Sequence, residues 1–336
     1  MSTTPVTIKD IARLLNLSKS TVSRALKNHP DISASTKEAV ALLAEKLNYR
    51  PNEVAMSLRH RKSRIIGLVV PQISFFFFPS VIRGVEDVAS KHGYKLMILQ
   101  SDEQFLREVE ACNVLMSANV EGVLASVSMT STDFDHFRSI VQTGLPVVFF
   151  DRVPESFNAD KVLLDDKQGA YRAVDYLIAQ GCQRVAICLG NPNLLISKNR
   201  LMGYQEALVA GGVEVDDSLI IRGDTLEEVE DAALKLFSTN SRPDAIFAIS
   251  DLTMSGIMKA LYKLKVKIPE EVSVIGFCEE PFSTMYNPPV TSIKPMGFEI
   301  GKAAAELLFR RIADNDPFSS PVRIDLPAEL IVREST

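Results

Sequence analysis

The sequence predicts a multidomain chain, with a small all-α head followed by a larger α/β body in two lobes. Three observations carry that expectation. Residues 1–48 hold three short amphipathic stretches with a tight turn between the first two. From Ser63 onward, short β-branched runs alternate with helical stretches, the repeat of a parallel sheet covered on both faces. The charge is also divided: residues 1–62 hold 11 Lys and Arg against 5 Asp and Glu, and the remainder 26 against 37. At 336 residues the chain is too long for one ordinary core.

Thr7 followed by Asp10 forms a capping box, so a helix starts at Ile8, with Ile8, Ile11, Ala12 and Leu15 as its apolar stripe. Asn16 stops it, and Ser18 is a good N-cap for the next helix, whose Val22, Ala25 and Leu26 face inward. A third helix runs from about Ser35 and buries Val40, Leu43, Ala44 and Leu47. Two short helices across a tight turn, braced by a third, make a helix-turn-helix unit. The second helix of such a unit enters the DNA major groove. Lys19, Ser20 and Arg24 then face base edges. Thr7, Thr21, Ser23 and Asn28 suit phosphate oxygens, and Ser18 and Tyr49 complete the DNA-facing set. The plainer reading is a set of caps and solvated side chains; the basic head argues against it.

Next comes "NYRPNEVAMSLRHRKSRIIGLVVP". Pro51 stops the third helix and Asn52 caps another. Val54, Ala55 and Leu58 share one face of a segment of about eight residues, too short to form without a partner. A leucine there can wedge between base steps in the minor groove, and a small Ala55 lets two such helices approach. Arg59, Arg61, Lys62 and Arg64 then follow phosphates. A plain linker is the alternative.

In the body, "RIIGLVV", "YKLMILQ", "GVLASVS" and "PVVFFD" are strand-like, with helices near 81–91, 103–118 and 134–143. A second series, "RVAICLG", "AIFAIS" and "SVIGF", alternates with helices near 198–210, 226–238 and 252–263. "NPPVTSIKP", with a helix over 298–311, returns to the first lobe. Ligands of open α/β sheets sit outside the carboxyl ends of the strands. That rule nominates Phe75, Phe76 and Phe78 in the run Phe75–Phe78, then Ser126 and Ser128, then Asp151 and Arg152, in the first lobe. In the second it nominates the stretch 196–200, with Arg200, then Ser250 and Asp251, and Phe277 and Cys278. Carboxylates accept from hydroxyl pairs, arginine donates a planar fork, and aromatic rings stack on sugar or base faces.

The run "IKDIARLLNLSKSTVSRALKN", then "YRPNEVAMSL", then "IGLVVP", continued to "AELIVREST", resembles the lactose-repressor (LacI-type) family of bacterial transcription regulators. The resemblance covers essentially the whole chain. It implies a head at 1–50, a hinge helix and linker at 51–62 with Leu58 as lever, and a body at 63–336 of the periplasmic-binding-protein type. The first lobe is expected at about 63–160 and 292–324, and the second at about 161–291 and 325–336. The resemblance implies a dimer on a palindromic operator, with a small-molecule effector, a carbohydrate or its derivative, setting the affinity. It places Asp151, Arg200 and Ser250 on the effector. A body that senses a phosphoprotein partner or a purine-like ligand is the alternative. One departure stands out: the family usually has Asp or Asn after "G-F/Y", and here Cys278 stands there. A thiol is a poor partner for a sugar hydroxyl, so Glu279 takes its place or the ligand differs.

Other classes find little support. No apolar run approaches the roughly 20 residues that span a membrane, and the N-terminus lacks the layout of a signal peptide. The four scattered cysteines read as reduced thiols in a cytoplasmic protein, with no metal site or cofactor expected. No G-x-G-x-x-G, Walker loop or nucleophile elbow appears, and the four histidines fall outside the inferred cleft, so no enzyme is expected. No leucine-heptad tail appears, which favours a dimer over a tetramer.

Overall fold

The computed structural model describes residues 6–49, 63–155, 157–314 and 320–336. The chain divides into two compact units, Met1–Ser63 and Arg64–Thr336.

The first unit contains α1 (Ile8–Leu14), α2 (Lys19–Leu26) and α3 (Ala34–Lys46). Asp10 accepts from the Thr7 N–H and hydroxyl at 3.0 and 2.7 Å, which opens α1. Ser18 and Ser33 accept from the N–H of Thr21 and Thr36 and open α2 and α3. Each helix ends the same way. Asn16, Asn28 and Asn48 take left-handed backbones, with φ of 50°, 53° and 47°. The N–H groups of Leu17, His29 and Tyr49 then reach back to the carbonyls of Ala12, Arg24 and Ala44. Asparagine tolerates that conformation better than other residues with a Cβ, so it stands where glycine usually does. Ile11, Ala12, Val22, Ala25, Val40 and Ala44 make the core. Leu26 was expected inside; it is 36% exposed, because Val22 and Ala25 already fill the face that α2 turns inward. Leu43 and Leu47 are only partly buried.

The second unit holds two six-stranded sheets. The first is built from β1 (Ile65–Val70), β2 (Lys95–Gln100), β3 (Val123–Ala125), β4 (Val147–Phe150), β5 (Asp160–Leu164) and β11 (Arg323–Leu326), in the order β11-β5-β4-β3-β1-β2. All its pairs are parallel, with Leu68 beside Ile98 on one side and Leu124 on the other. The second has β6 (Val185–Leu189), β7 (Ile220–Arg222), β8 (Ala245–Ala248), β9 (Ser273–Phe277), β10 (Thr291–Lys294) and β12 (Glu329–Ile331), in the order β12-β10-β9-β8-β6-β7. Only β12 runs antiparallel. In each sheet the first strand in sequence lies between the next two, so the order reverses there. Such a switch point leaves a crevice beyond the strand ends.

The helices fill both faces. In the first lobe these are α4 (Phe77–Lys91), α5 (Phe105–Ser117), α6 (Asp135–Gln142) and the long α12 (Gly297–Asp314). In the second they are α7 (Asp166–Ala179), α8 (Leu195–Ala210), α9 (Leu226–Phe237), α10 (Asp251–Leu264) and the short α11 (Phe282–Met285). One apolar cluster runs through both lobes, and each sheet has a further cluster on its other face.

The chain crosses between lobes three times: after β5, after β10 and after β11. These places differ by a few residues from the expected boundaries. Residues 160–164 pair within the first sheet, 291–294 within the second, and 323–326 within the first. "TSIK" is thus a strand of the second lobe, and the return to the first begins only with α12. Strands this short lack a pattern of their own; pairing defines them. α7 was also not foreseen, although Ala170, Ala173, Val174 and Leu177 repeat at helical spacing and are buried.

Candidate functional site

Each unit carries a candidate site. In the first, α2 presents Lys19, Ser20 and Arg24 to solvent, with Thr21 and Ser23 partly covered. Neither basic side chain pairs with a carboxylate among the described residues. Several of the other nominated groups have local work. The Ser18 hydroxyl lies 2.7 Å from that of Ser20 and 2.8 Å from that of Thr21, so these three form the cap of α2. The Thr7 hydroxyl donates to Asp10. Asn28 is the left-handed residue that ends α2. Tyr49 packs against the core, and burial raises its hydroxyl pKa. A hydroxyl holds one donor and two acceptor positions, so capping does not exhaust it. Asn52, Ala55, Leu58 and Arg59 lie outside the described residues.

In the second unit, a cavity of about 430 Å³ opens between the lobes at the strand ends. That size suits a small molecule. Phe75, Phe77, Phe78, Asp151 and Arg152 line it from the first lobe. Ile196, Arg200, Ser250, Asp251 and Phe277 line it from the second.

Arg200 is the best-held of these. It is 6% exposed on α8. Its Nε donates to Asp166 Oδ1 at 2.8 Å, a terminal nitrogen donates to the same oxygen at 2.5 Å, and the other donates to the Ile249 carbonyl. Its guanidinium carbon lies 3.6 Å from the Phe277 ring centre. This is a cation over an aromatic face, fixed by a buried carboxylate. A guanidinium has five N–H donors, so two remain for a ligand.

Asp151 ends β4 in a left-handed backbone, φ 58°, and its N–H donates to Val162 O. Its carboxylate has no hydrogen-bond donor among the described residues. Burial pushes it up to about 6 against the pull of Arg152. Asp251 is also pushed up to about 6 by burial, opposed by the Glu279 N–H, which donates to it at 3.1 Å. Arg152 donates to both oxygens of Glu103, at 2.6 and 2.9 Å. Its Nε is buried without an acceptor.

Phe76, Ser126, Ser128 and Cys278, and Lys198 and Asn199 of the stretch 196–200, do not reach the cavity. Ser128 is 1% exposed and its N–H donates to Glu108 Oε2 at 2.6 Å. Phe76 turns outward, 40% exposed, with its ring 5.5 Å from that of Phe282. Ser126 is fully buried and its Oγ accepts from the Arg152 N–H at 3.4 Å. Cys278 is 1% exposed within the far-face cluster of the second sheet, and burial drives its thiol pKa well up. Successive residues of a strand face opposite sides, so if Phe277 lines the cavity Cys278 cannot. Glu279 does not substitute for it: its Oε1 accepts from Gly297 N–H at 2.8 Å, at the crossing into α12. Burial pushes that carboxyl up to about 7.

The structure adds lining residues that went unnominated, among them Gln72, Glu103, Asn191, Asp224 and Thr225. Glu103 follows "YKLMILQ" and the strand-end rule could have found it. Asp224 follows β7, a strand of three residues with no readable pattern. Among the described residues no group of His, Cys, Asp and Glu could hold a metal ion, and no helix is long and apolar enough to cross a membrane.

Residues 7–52 match the bacterial regulatory proteins of the lacI family, and residues 174–336 match periplasmic binding protein-like domains. The chain is 33% identical over 330 residues to a ribose operon repressor from Halalkalibacterium halodurans, covering 98% of this chain and 97% of that one. It is 31% identical to catabolite control protein A from Priestia megaterium, over 98% of this chain and 99% of that one. A solved complex of the transcriptional regulator CelR with cellobiose is 29% identical, with a TM-score of 0.74 over 98% of this chain and 100% of that one. The lac repressor dimer bound to operator and an anti-inducer shares the fold, with a TM-score of 0.86 at 21% identity over 99% of each chain. With a helix-turn-helix head, a two-lobed body and full-length relatives on both, the chain belongs to the lacI family of bacterial regulatory proteins.

Proposed function

We propose that this DNA-binding transcription regulator represses its target genes as a homodimer on a palindromic operator. The cavity between its lobes takes the small-molecule effector that sets operator affinity. The observation that carries the reading is the 430 Å³ cavity, lined from both lobes and flanked by three crossings that can serve as a hinge. A ligand that touches both lobes has different contacts when they open, and that difference is what shifts a population.

Asp151, Arg200, Ser250 and Asp251 supply acceptors and donors, and Phe75, Phe78 and Phe277 supply flat apolar faces. Carboxylates, guanidinium and aromatic rings around one small cavity suit a carbohydrate or a derivative of one. The relatives whose names mention ribose and cellobiose support that class. On the DNA side, Lys19, Ser20 and Arg24 read base edges, and Leu58 wedges into the minor groove. The protein works in the cytoplasm, as a regulator and not a catalyst.

The test has two arms. Selection of random duplexes by the full chain should return a palindrome. Arg24→Ala should lose preference at one position of each half-site, a cost of about 1–3 kcal/mol. Leu58→Gly should lose specific binding and keep the salt-sensitive non-specific binding. A thermal-shift screen against sugars and their derivatives should then find an effector. At about 100 times its dissociation constant a true effector adds roughly 2.7 kcal/mol. Sequence-blind DNA binding, or a hit that leaves operator affinity unchanged, would sink the reading.

A further inference from the structure

The charges around the cavity say more about the ligand than its shape does. Both cations are already matched: Arg152 by Glu103 and Arg200 by Asp166. Asp151, Asp224 and Asp251 line the same cavity with no Lys, Arg or His paired to any of them. No lysine or histidine lines it among the described residues. Four carboxylates line the cavity and a fifth, Asp166, stands behind Arg200, so five are set against two guanidiniums, a formal charge of −3.

Four helices, α4, α8, α9 and α10, begin at the wall. Each N-terminus carries about half a positive charge. Together they reduce the charge to about −1 and do not reverse it. Asp251 already occupies the first turn of α10, and Asp224 immediately precedes the Thr225 cap of α9. The free hydrogen-bonding groups are therefore mixed in type but one-sided in charge. There are carboxylate acceptors and spare guanidinium N–H groups. A hydroxyl satisfies both kinds, because it donates and accepts. A phosphate or carboxylate only accepts, and it meets three like charges: Asp224 at the rim, then Asp151 and Asp251 where burial strengthens the repulsion.

We infer that the cavity is a charge filter: it takes a polyhydroxylated molecule without phosphate or carboxylate, and Asp224 at its rim rejects the anionic forms. This rests on the cavity being the effector site. It also places the signal in a reaction sequence. The effector is what hydrolysis of a glycosidic bond releases, or what transport delivers unmodified. The phosphorylation that consumes it also silences it.

The experiment is calorimetry and thermal shift on the full chain at pH 7.5. The probes are matched pairs: D-glucose and glucose 6-phosphate, D-ribose and ribose 5-phosphate, D-glucose and D-gluconate, D-galactose and D-galacturonate, cellobiose and cellobionate. The expected result is a hit on an uncharged member whose anionic counterpart binds at least about a hundredfold more weakly. Asp224→Asn should close that ratio by about tenfold. The variant is safe to make, because the side chain is exposed at the rim. A best hit that is anionic overturns the filter and leaves the effector site standing. A ratio that Asp224→Asn does not change overturns the role of Asp224. Silence across every pair overturns both the filter and the effector-site reading.

Discussion

At the scale of single residues, Arg200 joins stability to binding. Asp166 is 4% exposed, and burial raises its pKa while Arg200 lowers it. Removing the guanidinium strands that carboxylate in the interior. Arg200→Ala should therefore lose about 3–5 kcal/mol against urea, the cost of breaking a buried pair from one side. Arg200→Lys keeps the charge but not the fork, so it should recover part of the stability and little of the effector binding. Equal stability of Arg200→Ala and wild type would show that the pair is not the tie described. The carboxyls near the cavity make a second prediction. Asp151 and Asp251 lie at about 6 and Glu279 at about 7, all above the values near 4 of an unfolded chain. Folding thus favours their protonated forms. Their contribution is full below about pH 4 and is lost as pH rises through 6 to 7. Urea titrations should show stability falling from pH 5 to pH 7.5, and Asp151→Asn should flatten that slope. A variant with the wild-type slope would remove Asp151 from the account.

At the scale of elements, the second unit depends on helices that approach closely. Gly203 on α8 faces α7, where an added Cβ would stand 2.2 Å from the Lys167 carbonyl oxygen. Gly84 on α4 faces α12 in the same way, 2.1 Å from the Phe298 carbonyl oxygen. Backbone cannot move aside as a side chain can. Gly203→Ala should cost about 1–3 kcal/mol by overpacking and lower the melting temperature of the body, with operator contacts by the head unchanged. A melting temperature equal to wild type would mean that α7 and α8 can part freely. Helix positions were largely legible in the sequence, since stripes such as Val81, Val85 and Val88 report their own period. The strands 220–222 and 329–331 were not, because three residues cannot show an alternation.

At the scale of the whole second unit, contacts across the cleft set how readily the lobes part. Phe76 of the first lobe meets Phe282 of the second. Lys198 on α8 lies 3.4 Å from Glu155 of the first lobe. The ion pair is exposed and contributes little. The ring pair is worth about 0.5–1.5 kcal/mol beyond its buried area. Phe76 does not line the cavity, so Phe76→Ala should act through the lobes alone. It should change effector affinity by about threefold to tenfold while the effector's selectivity order stays the same. A change in that order would put Phe76 in contact with ligand after all.

The helix-turn-helix head, the repeated α/β body and the strand ends worth searching are legible in the amino-acid order, because caps, helical stripes and apolar runs are local and print themselves in neighbouring residues. Asp151, Arg200, Ser250, Asp251 and Phe277 were reached in this way. That Cys278 faces the core, that Phe76 turns away and that both arginines are neutralised from elsewhere in the chain emerges only when distant segments meet in the fold. The physical reason is distance along the chain. Asp166 lies 34 residues from Arg200 and Glu103 lies 49 from Arg152, and charge matching at that separation leaves no periodic trace.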